Sequence, residues 1–594
     1  MPIDFSTRGP RWPRSFFVTL LQGLGSGILL GLLACSEEKP PAPKPSPPEL
    51  STEARIKQMI ASEELVQKLT PKLRALGASM VRGSRDDLPE AVAGEASVAP
   101  WQHLEPSHLW THASFGTLSA SFQDGGFEMK TQFEGVRRGE DGAIVGVTAK
   151  QKLFWRKSNE TEDSWKLIKW EPLEFATDHS PQPLFEEVLD RLIPDADALA
   201  TARTSFQEEV LRKTFAGETA KVGRFRVTSS PDIVSGLQYP TVSVMDFDSD
   251  GHEDFFLSAR WVPPQLFRNC GDGTYEEVAA QSGLTVDSHV TAAVFADFDN
   301  DGDPDALLAR SFEPTQYYRN DGGQFTDVTA TATDLGTLFV VSSMAVADVN
   351  GDGLLDVYLS TYNSPIARVK DINPEVLNPE QIRKFAHILR TDSAPFLNER
   401  GFPNVLLMNR GGGRLERAGG EVVELWRKSY QPLWFDADND GDEDLYVCND
   451  FGPDSYLRND TPRGASEPVL VEAFAEVFPD VKMAYGMGAS CGDYDNDGDL
   501  DLFVSNMYSK AGNRIVPAFE NTDPRILVAA RGNFLYRNDG GVFRLVSEAD
   551  APETKVGWAL GGQFADFNND GWLDLYVPSG FYTAPKEVAT EVDL

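Results

Sequence analysis

Carboxylates stand at alternate positions in six short stretches of this 594-residue chain. The fullest is Asp297-Phe-Asp-Asn-Asp-Gly-Asp-Pro-Asp305, with carboxylates at positions 1, 3, 5, 7 and 9 and Gly302 at position 6. The order Asp-x-(Asp/Asn)-x-Asp-Gly-x-x-Asp also starts at Asp246, Asp348, Asp436, Asp493 and Asp566. A hard cation such as Ca2+ takes about six to eight oxygens at about 2.3–2.6 Å. Positions 1, 3 and 5 of a tight loop can turn their side chains inward, position 7 can add its backbone carbonyl, and position 9 can close the shell. The glycine admits the positive φ that a Cβ resists.

Six calcium sites are therefore expected. The first comprises Asp246, Asp248, Asp250, His252 and Asp254, and the second Asp297, Asp299, Asp301, Asp303 and Asp305. The third comprises Asp348, Asn350, Asp352, Leu354 and Asp356, and the fourth Asp436, Asp438, Asp440, Asp442 and Asp444. The fifth comprises Asp493, Asp495, Asp497, Asp499 and Asp501, and the sixth Asp566, Asn568, Asp570, Trp572 and Asp574. Asn350 and Asn568 each remove one charge from their loops.

The flanking residues define the elements that carry the loops. Ala-Ala-Val-Phe-Ala precedes Asp297 and Ala-Leu-Leu-Ala follows Asp305; Pro-Leu-Trp-Phe precedes Asp436 and Leu-Tyr-Val follows Asp444. These apolar runs are too brief for helices, so each loop is a metal-pinned turn between two strands, not an EF-hand. Loop starts lie 51, 51, 88, 57 and 73 residues apart. A period near 50 built from short strands is that of propeller blades, one four-stranded sheet per repeat.

A second mark keeps step with the first. Phe267-Arg-Asn, Tyr318-Arg-Asn, Leu457-Arg-Asn and Tyr536-Arg-Asn each precede a turn, and Leu407-Met-Asn is a degraded copy. These read as the outer hairpin of each blade, the Asp loop being the inner one. Insertions near 373–390 and 509–531 leave an inner strand and precede an outer hairpin, so both emerge on one face, where ligands usually meet such folds. Six loops imply six blades, or seven if one without a loop lies in the 88-residue interval. Gly223-Arg-Phe-Arg-Val227 resembles Gly541-Val-Phe-Arg-Leu545, and the 223–228 segment is expected to complete the final blade as its outer strand.

The N-terminal third reads differently. Arg8, Arg11 and Arg14 precede an apolar run ending in Leu32-Leu-Ala-Cys35, the pattern of an export signal. Residues 1–34 are read as a lipoprotein signal peptide, with Cys35 the lipidated residue; an uncleaved membrane anchor is the other reading. Residues 35–50 are rich in proline and form a semi-rigid tether. Residues 51–220 predict a small α+β domain: a helix begun by Ser51, strands from about His112 to Phe175, then helices near 183–193 and 196–214. The repeat array spans 221–582 and a tail 583–594. His108 and His112 have i, i+4 spacing, but Leu109 stands where a zinc-helix glutamate is needed, so they are read as surface residues.

These features resemble the FG-GAP/VCBS repeat family, the integrin-α-type calcium propeller, and among its members the bacterial relatives of cartilage acidic protein. Asp493-Tyr-Asp-Asn-Asp-Gly-Asp-Leu-Asp501 carries the likeness most fully. The resemblance covers roughly 230–582 and implies a mainly β fold. It also implies that the cations serve chiefly to hold the propeller together.

The net charge of −37 argues against nucleic acid as partner. About 27 of the 91 acids lie in the six loops, where cations would neutralise part of that charge. The expected function is a surface-tethered binding scaffold presenting a propeller face to a protein or glycan, exported and membrane-anchored, with the outer membrane or cell surface favoured. The alternative is a propeller hydrolase or lyase acting on polysaccharides or esters. Gly488-Ala-Ser490-Cys-Gly492 matches the nucleophile-elbow pattern, but that elbow needs a strand-to-helix turn, and here the serine is read on a strand. Cys448 and Cys491 are read either as a disulfide or as two thiols.

Overall fold

The computed structural model describes most of residues 52–579; the longer stretches outside the description are 84–108, 158–164, 205–212, 228–240, 363–400 and 509–530. The signal segment, Cys35, the tether and both insertions thus lie outside the described residues. None of the described helices is long and apolar enough to cross a membrane.

Helix α1 (Thr52–Arg82) buries Leu65, Leu69, Leu73, Leu76 and Met80, a spacing that keeps one stripe inward. That stripe packs on a four-stranded antiparallel meander of β1 (Leu109–Gln123), β2 (Gly126–Arg138), β3 (Ile144–Lys157) and β4 (Trp165–Ser180). Along β2 and β3 buried and half-buried residues alternate, as expected of a sheet with one covered face. Gly77 marks the closest approach of helix and sheet, where a Cβ would lie 2.4 Å from the Ala113 carbonyl oxygen. The expected α+β domain is present. His112 lies exposed on β1, not on a helical turn.

Two short helices follow, Leu189–Leu192 and Ala196–Ala202, shorter than the sequence predicts over their described residues. Strands β5 (Ala220–Val222) and β6 (Phe225–Val227) then pair with each other. The described part of the 223–228 segment, expected to complete the last blade as its outer strand, pairs with its near chain neighbour, Phe225 with Val222.

The repeat region is mainly β, a propeller-like succession of antiparallel sheets, here numbered I to VI. Sheet II shows the plan: Val290–Ala296, Asp305–Arg310, Gln316–Asn320 and Phe325–Asp327, in spatial order as in sequence. Sheets I, III, IV and V repeat it, with first strands Thr241–Met245, Val341–Ala347, Lys428–Phe435 and Gly488–Gly492. Sheet VI has two strands among the described residues, Gln563–Ala565 and Asp574–Tyr576. The first strand of each sheet packs on the first strand of the next, from I through VI.

The contacts between sheets follow one rule. The residue ten after each loop's first aspartate meets the residue two before the next loop. Phe256 and Phe295 have ring centroids 5.3 Å apart, Tyr358 and Trp434 6.4 Å, and Phe503 and Phe564 6.5 Å. Leu307 with Val346, and Tyr446 with Cys491, share buried clusters in the same way.

Candidate metal centres

All six Asp loops join the first and second strands of their sheets. Position 9 is in each case the first residue of the second strand, paired with the last residue of the first: Met245 with Asp254, Ala296 with Asp305, Ala347 with Asp356, Phe435 with Asp444, Gly492 with Asp501 and Ala565 with Asp574. In an antiparallel meander the turn between third and fourth strands falls at the same end, so the Asn-bearing turns lie beside the Asp loops. The second strands end, and the third begin, at the opposite end.

Within each loop the backbone curls around its own aspartates. Position 1 accepts from the amides of positions 5 and 6 through its two oxygens; in the second loop Asp301 N lies 3.0 Å and Gly302 N 2.9 Å from Asp297. The same pair recurs at Asp246, Asp348, Asp436, Asp493 and Asp566. Position 5 accepts from the position-7 amide in all six loops, fixing His252, Asp303, Leu354, Asp442, Asp499 and Trp572. The position-6 glycines take positive φ, 101° at Gly302. So does position 4, occupied by Ser249, Asn300, Gly351, Asn439, Asn496 and Asn569. Asn and Gly are the residues that tolerate this conformation, and this second constraint was not read from the sequence.

Four loops bring the carboxylates of positions 1, 3 and 5 together, with one oxygen from each within 4.8 Å of the others: Asp246, Asp248 and Asp250; Asp297, Asp299 and Asp301; Asp436, Asp438 and Asp440; Asp493, Asp495 and Asp497. Burial, and next the position-5 carboxylate, raise the pKa of Asp248, Asp299, Asp438 and Asp495 above the usual carboxylate range. One oxygen each of Asp248, Asp299 and Asp495 is buried without a hydrogen-bond donor. Three converging carboxylates with an undonated buried oxygen fit an oxygen-seeking cation, which would both satisfy that oxygen and offset the mutual repulsion of the charges.

The other two loops differ in chemistry. In the third, Asn350 Nδ2 donates to Asp352 (3.0 Å) and to the Ala465 carbonyl (2.7 Å), so an amide donor faces the position-5 carboxylate. Sheet IV's long turn also reaches over this loop, Gly464 N donating to Asn350 O (2.6 Å). Asn568 likewise leaves the sixth loop with two carboxylates at positions 1, 3 and 5.

Position 9 is held by the protein's own donors. Asp254, Asp305, Asp356, Asp444 and Asp501 are buried and do not join the carboxylate groups. Both oxygens already accept protein donors: in sheet II, Asp305 takes Asn320 N at 2.8 Å, Phe298 N at 3.2 Å and Tyr317 Oη at 2.9 Å. Burial pushes Asp305 up to about 6 and Asp356 up to about 7. These carboxylates latch the loop to the third strand.

Position 7 was expected to act only through its carbonyl. The side chain of Asp303 is held by Ser249 Oγ (3.2 Å) and Gly322 N (2.7 Å), and that of Asp499 by Asn439 Nδ2 (2.8 Å) and Gly540 N (3.0 Å). Among the described residues Asp442 has no counterpart to these donors, because position 4 of the preceding loop is Gly351 and Pro462 interrupts the adjoining turn. One of its oxygens is buried without a donor, and burial with Asp440 pushes it up to about 6.

The asparagine of the second sequence mark is a site residue that the sequence reading treated only as a turn signal. Asn269, Asn320, Asn409, Asn459 and Asn538 each donate their backbone N–H to the position-9 carboxylate of their own sheet, at 2.7 to 2.9 Å. The arginine before it makes surface ion pairs, Arg319 with Asp321 and Arg537 with Asp539.

Ser490 lies within the strand Gly488–Gly492, where its Oγ accepts from Phe564 N at 3.3 Å. Cys448 and Cys491 are free thiols, the first buried.

The loops and strands together define a repeat protein whose unit is a sheet with an aspartate-rich first turn. The FG-GAP-like repeat family matches residues 246–308, 297–359, 436–504 and 523–577, which include all six loops, so the chain carries FG-GAP-like repeats. No curated protein matches it. Among solved structures it is similar to BBS1N in complex with ARL6DN, at 10% identity over 58% of this chain and 78% of that one, with a TM-score of 0.31. It is also similar to the GH43_1 enzyme from Xanthomonas citri complexed with xylose, at 11% identity over 58% of this chain and 98% of that one, with a TM-score of 0.27.

Proposed function

We propose that this chain is an extracellular recognition scaffold, a six-bladed closed propeller whose inner turns are stiffened by calcium and which a lipid on Cys35 tethers to a membrane. The observation that carries the calcium reading is the convergence of three carboxylates in each of four loops, with buried, undonated oxygens at Asp248, Asp299 and Asp495. Asp438 completes the fourth loop. The residues that would hold the ions are positions 1, 3 and 5, and bound calcium would supply charge neutralisation there. Loops three and six, with Asn350 and Asn568, are expected to be the weakest sites.

The face opposite the cation loops is the proposed recognition face, for a protein or glycan, because the second-to-third connections leave from it. Support for closure comes from the regular packing of first strand on first strand along the array; the sixth contact of that series, Tyr576 with Val244, is open in this structure, where the two residues are 52% and 65% exposed.

Calcium titration by calorimetry tests the first part. We expect about four ions per chain, and a melting temperature that EGTA lowers by roughly 5 °C or more, since saturating a site a hundredfold above Kd adds about 2.7 kcal/mol. A chain that binds no calcium at millimolar concentration, or melts unchanged in EGTA, removes this reading. Pull-down from cell-surface extracts, comparing the chain with variants in the opposite face, tests the second.

A further inference from the structure

Four asparagines belong to two repeats at once. Asn320, Asn409, Asn459 and Asn538 are at most 2% exposed, and every polar atom of each amide is engaged. Oδ1 accepts from the following turn: Gly323 N at 2.9 Å, Gly411 N at 3.0 Å, Thr461 N at 3.1 Å and Gly541 N at 2.8 Å. One Nδ2 hydrogen goes to the position-8 carbonyl of the residue's own loop: Pro304, Leu355, Glu443 and Leu500, at 3.1 to 3.3 Å. The other goes to the position-2 carbonyl of the preceding loop: Phe247 and Phe298 at 2.7 Å, Val349 and Ala437 at 2.9 Å.

The last bond joins repeats. Position 2 lies between two carboxylates of the triad. Its N–H is held by the position-9 aspartate of its own sheet in the first three loops, and its carbonyl is held by the next repeat's asparagine. With both of its peptide groups fixed, positions 1 and 3 have their directions set. The same asparagine, through its backbone N–H and its amide, sets positions 9 and 8 of the following loop. The bonds form an unbroken line from the first loop to the fifth. Position 4 adds a second thread where it has a side chain, Ser249 reaching Asp303 and Asn439 reaching Asp499.

We propose that Asn320, Asn409, Asn459 and Asn538 are positioning residues that couple each cation loop to its neighbour, so that the loops fill cooperatively and not one by one. This rests on the reading of the loops as calcium sites. Ordering a loop around its ion orders the position-2 peptide. That lowers the cost of ordering the next loop through a group that is already saturated and cannot yield at one end without yielding at the other. Such coupling is a property of the chain's own amides, and it is reciprocal between neighbours.

Asn538 is the sharpest place to test it, because it ties the fourth and fifth loops, both with three converging carboxylates. Asn538→Ala removes both Nδ2 donors and keeps the backbone N–H to Asp501. Calcium calorimetry on the purified protein would compare the natural chain, Asn538→Ala, Asp493→Asn and the double variant. Asn320→Ala serves as a second tie should Asn538→Ala fail to fold, with far-ultraviolet circular dichroism as the check. We expect a Hill coefficient clearly above one for the natural chain. Asp493→Asn should also weaken the remaining sites, by about fivefold or more. In the Asn538→Ala background the same change should leave them untouched. Natural protein that binds its ions independently, or variants of either asparagine that keep full cooperativity, would overturn the coupling alone. A natural chain that binds no calcium would overturn the coupling together with the calcium reading.

Discussion

A buried carboxylate need not be a ligand, and Asp454 shows how much its surroundings decide. It sits just before the third strand of sheet IV, at the end remote from the cation loops, accepting from Asn449 N and Tyr446 Oη at 2.7 Å each. Asn404 and Asn533 hold the same place in sheets III and V, accepting from Thr361 N and Asn506 N. Burial pushes Asp454 up to about 7, with Asp450 raising it further and the Arg427 guanidinium opposing. A carboxyl whose pKa is raised in the folded state contributes stability that is complete below its unfolded pKa and lost as pH rises through the folded one. Stability of the calcium-saturated protein should therefore fall between about pH 4 and pH 7. Asp454→Asn, which supplies the amide its sister repeats already use, should flatten that slope and raise stability at pH 8 by about 1–3 kcal/mol. Denaturant melts at pH 5 and pH 8 would show it; an unchanged slope would mean that Asp454 is ionised at little cost.

Among the elements, the Asp loop was the most legible, because its residue types leave few alternatives. Six carboxylate-rich turns between apolar runs had to join strands, and their boundaries with the flanking strands are those observed. The split of labour within the loop was not legible. Asp305 and Asp299 look alike in sequence, yet one is spent on Asn320, Phe298 and Tyr317 while the other keeps a buried oxygen free. The bonds from asparagine to the preceding loop span 73 to 111 residues, a separation at which no local pattern speaks. The partners of Asn350 were illegible for the same reason: the turn that satisfies its amide comes from sheet IV, 115 residues on. Its amide now faces Ala465 O and Asp352, so Asn350→Asp would set a carboxylate against two acceptors. We expect that variant to lose about 1–3 kcal/mol in EGTA and to recover in calcium while taking up one more ion. A variant equally stable in both conditions would show that the loop is indifferent to the charge.

At the scale of the whole molecule the two ends of the array carry complementary gaps. Three ring contacts and two shared buried clusters associate a residue ten past the loop's first aspartate with one two before the next loop, and by the same count Tyr576 should meet Val244. Both are large, apolar and exposed, as are Val242 at 62% and Phe567 at 45%. The segment linking the N-terminal domain to the array touches both ends. Phe185 packs on Phe567 and Tyr576 at ring separations of 5.3 and 5.8 Å, and Gln265 Nε2 in sheet I donates to Ala198 O. Exposed apolar residues such as Val242 and Val244 are costly to leave in water, and the other end of the same chain is the partner at highest effective concentration. Closure makes a definite prediction for Val244→Asp. On an open face the change should lie within about 0.5 kcal/mol of neutral. In a closed ring it buries a carboxylate against Tyr576 and should cost about 2–4 kcal/mol. Amide hydrogen exchange in Thr241–Met245 should then quicken in the variant while that in Val341–Ala347, two sheets away, stays slow. Unchanged melting with unchanged exchange would leave the array an open arc.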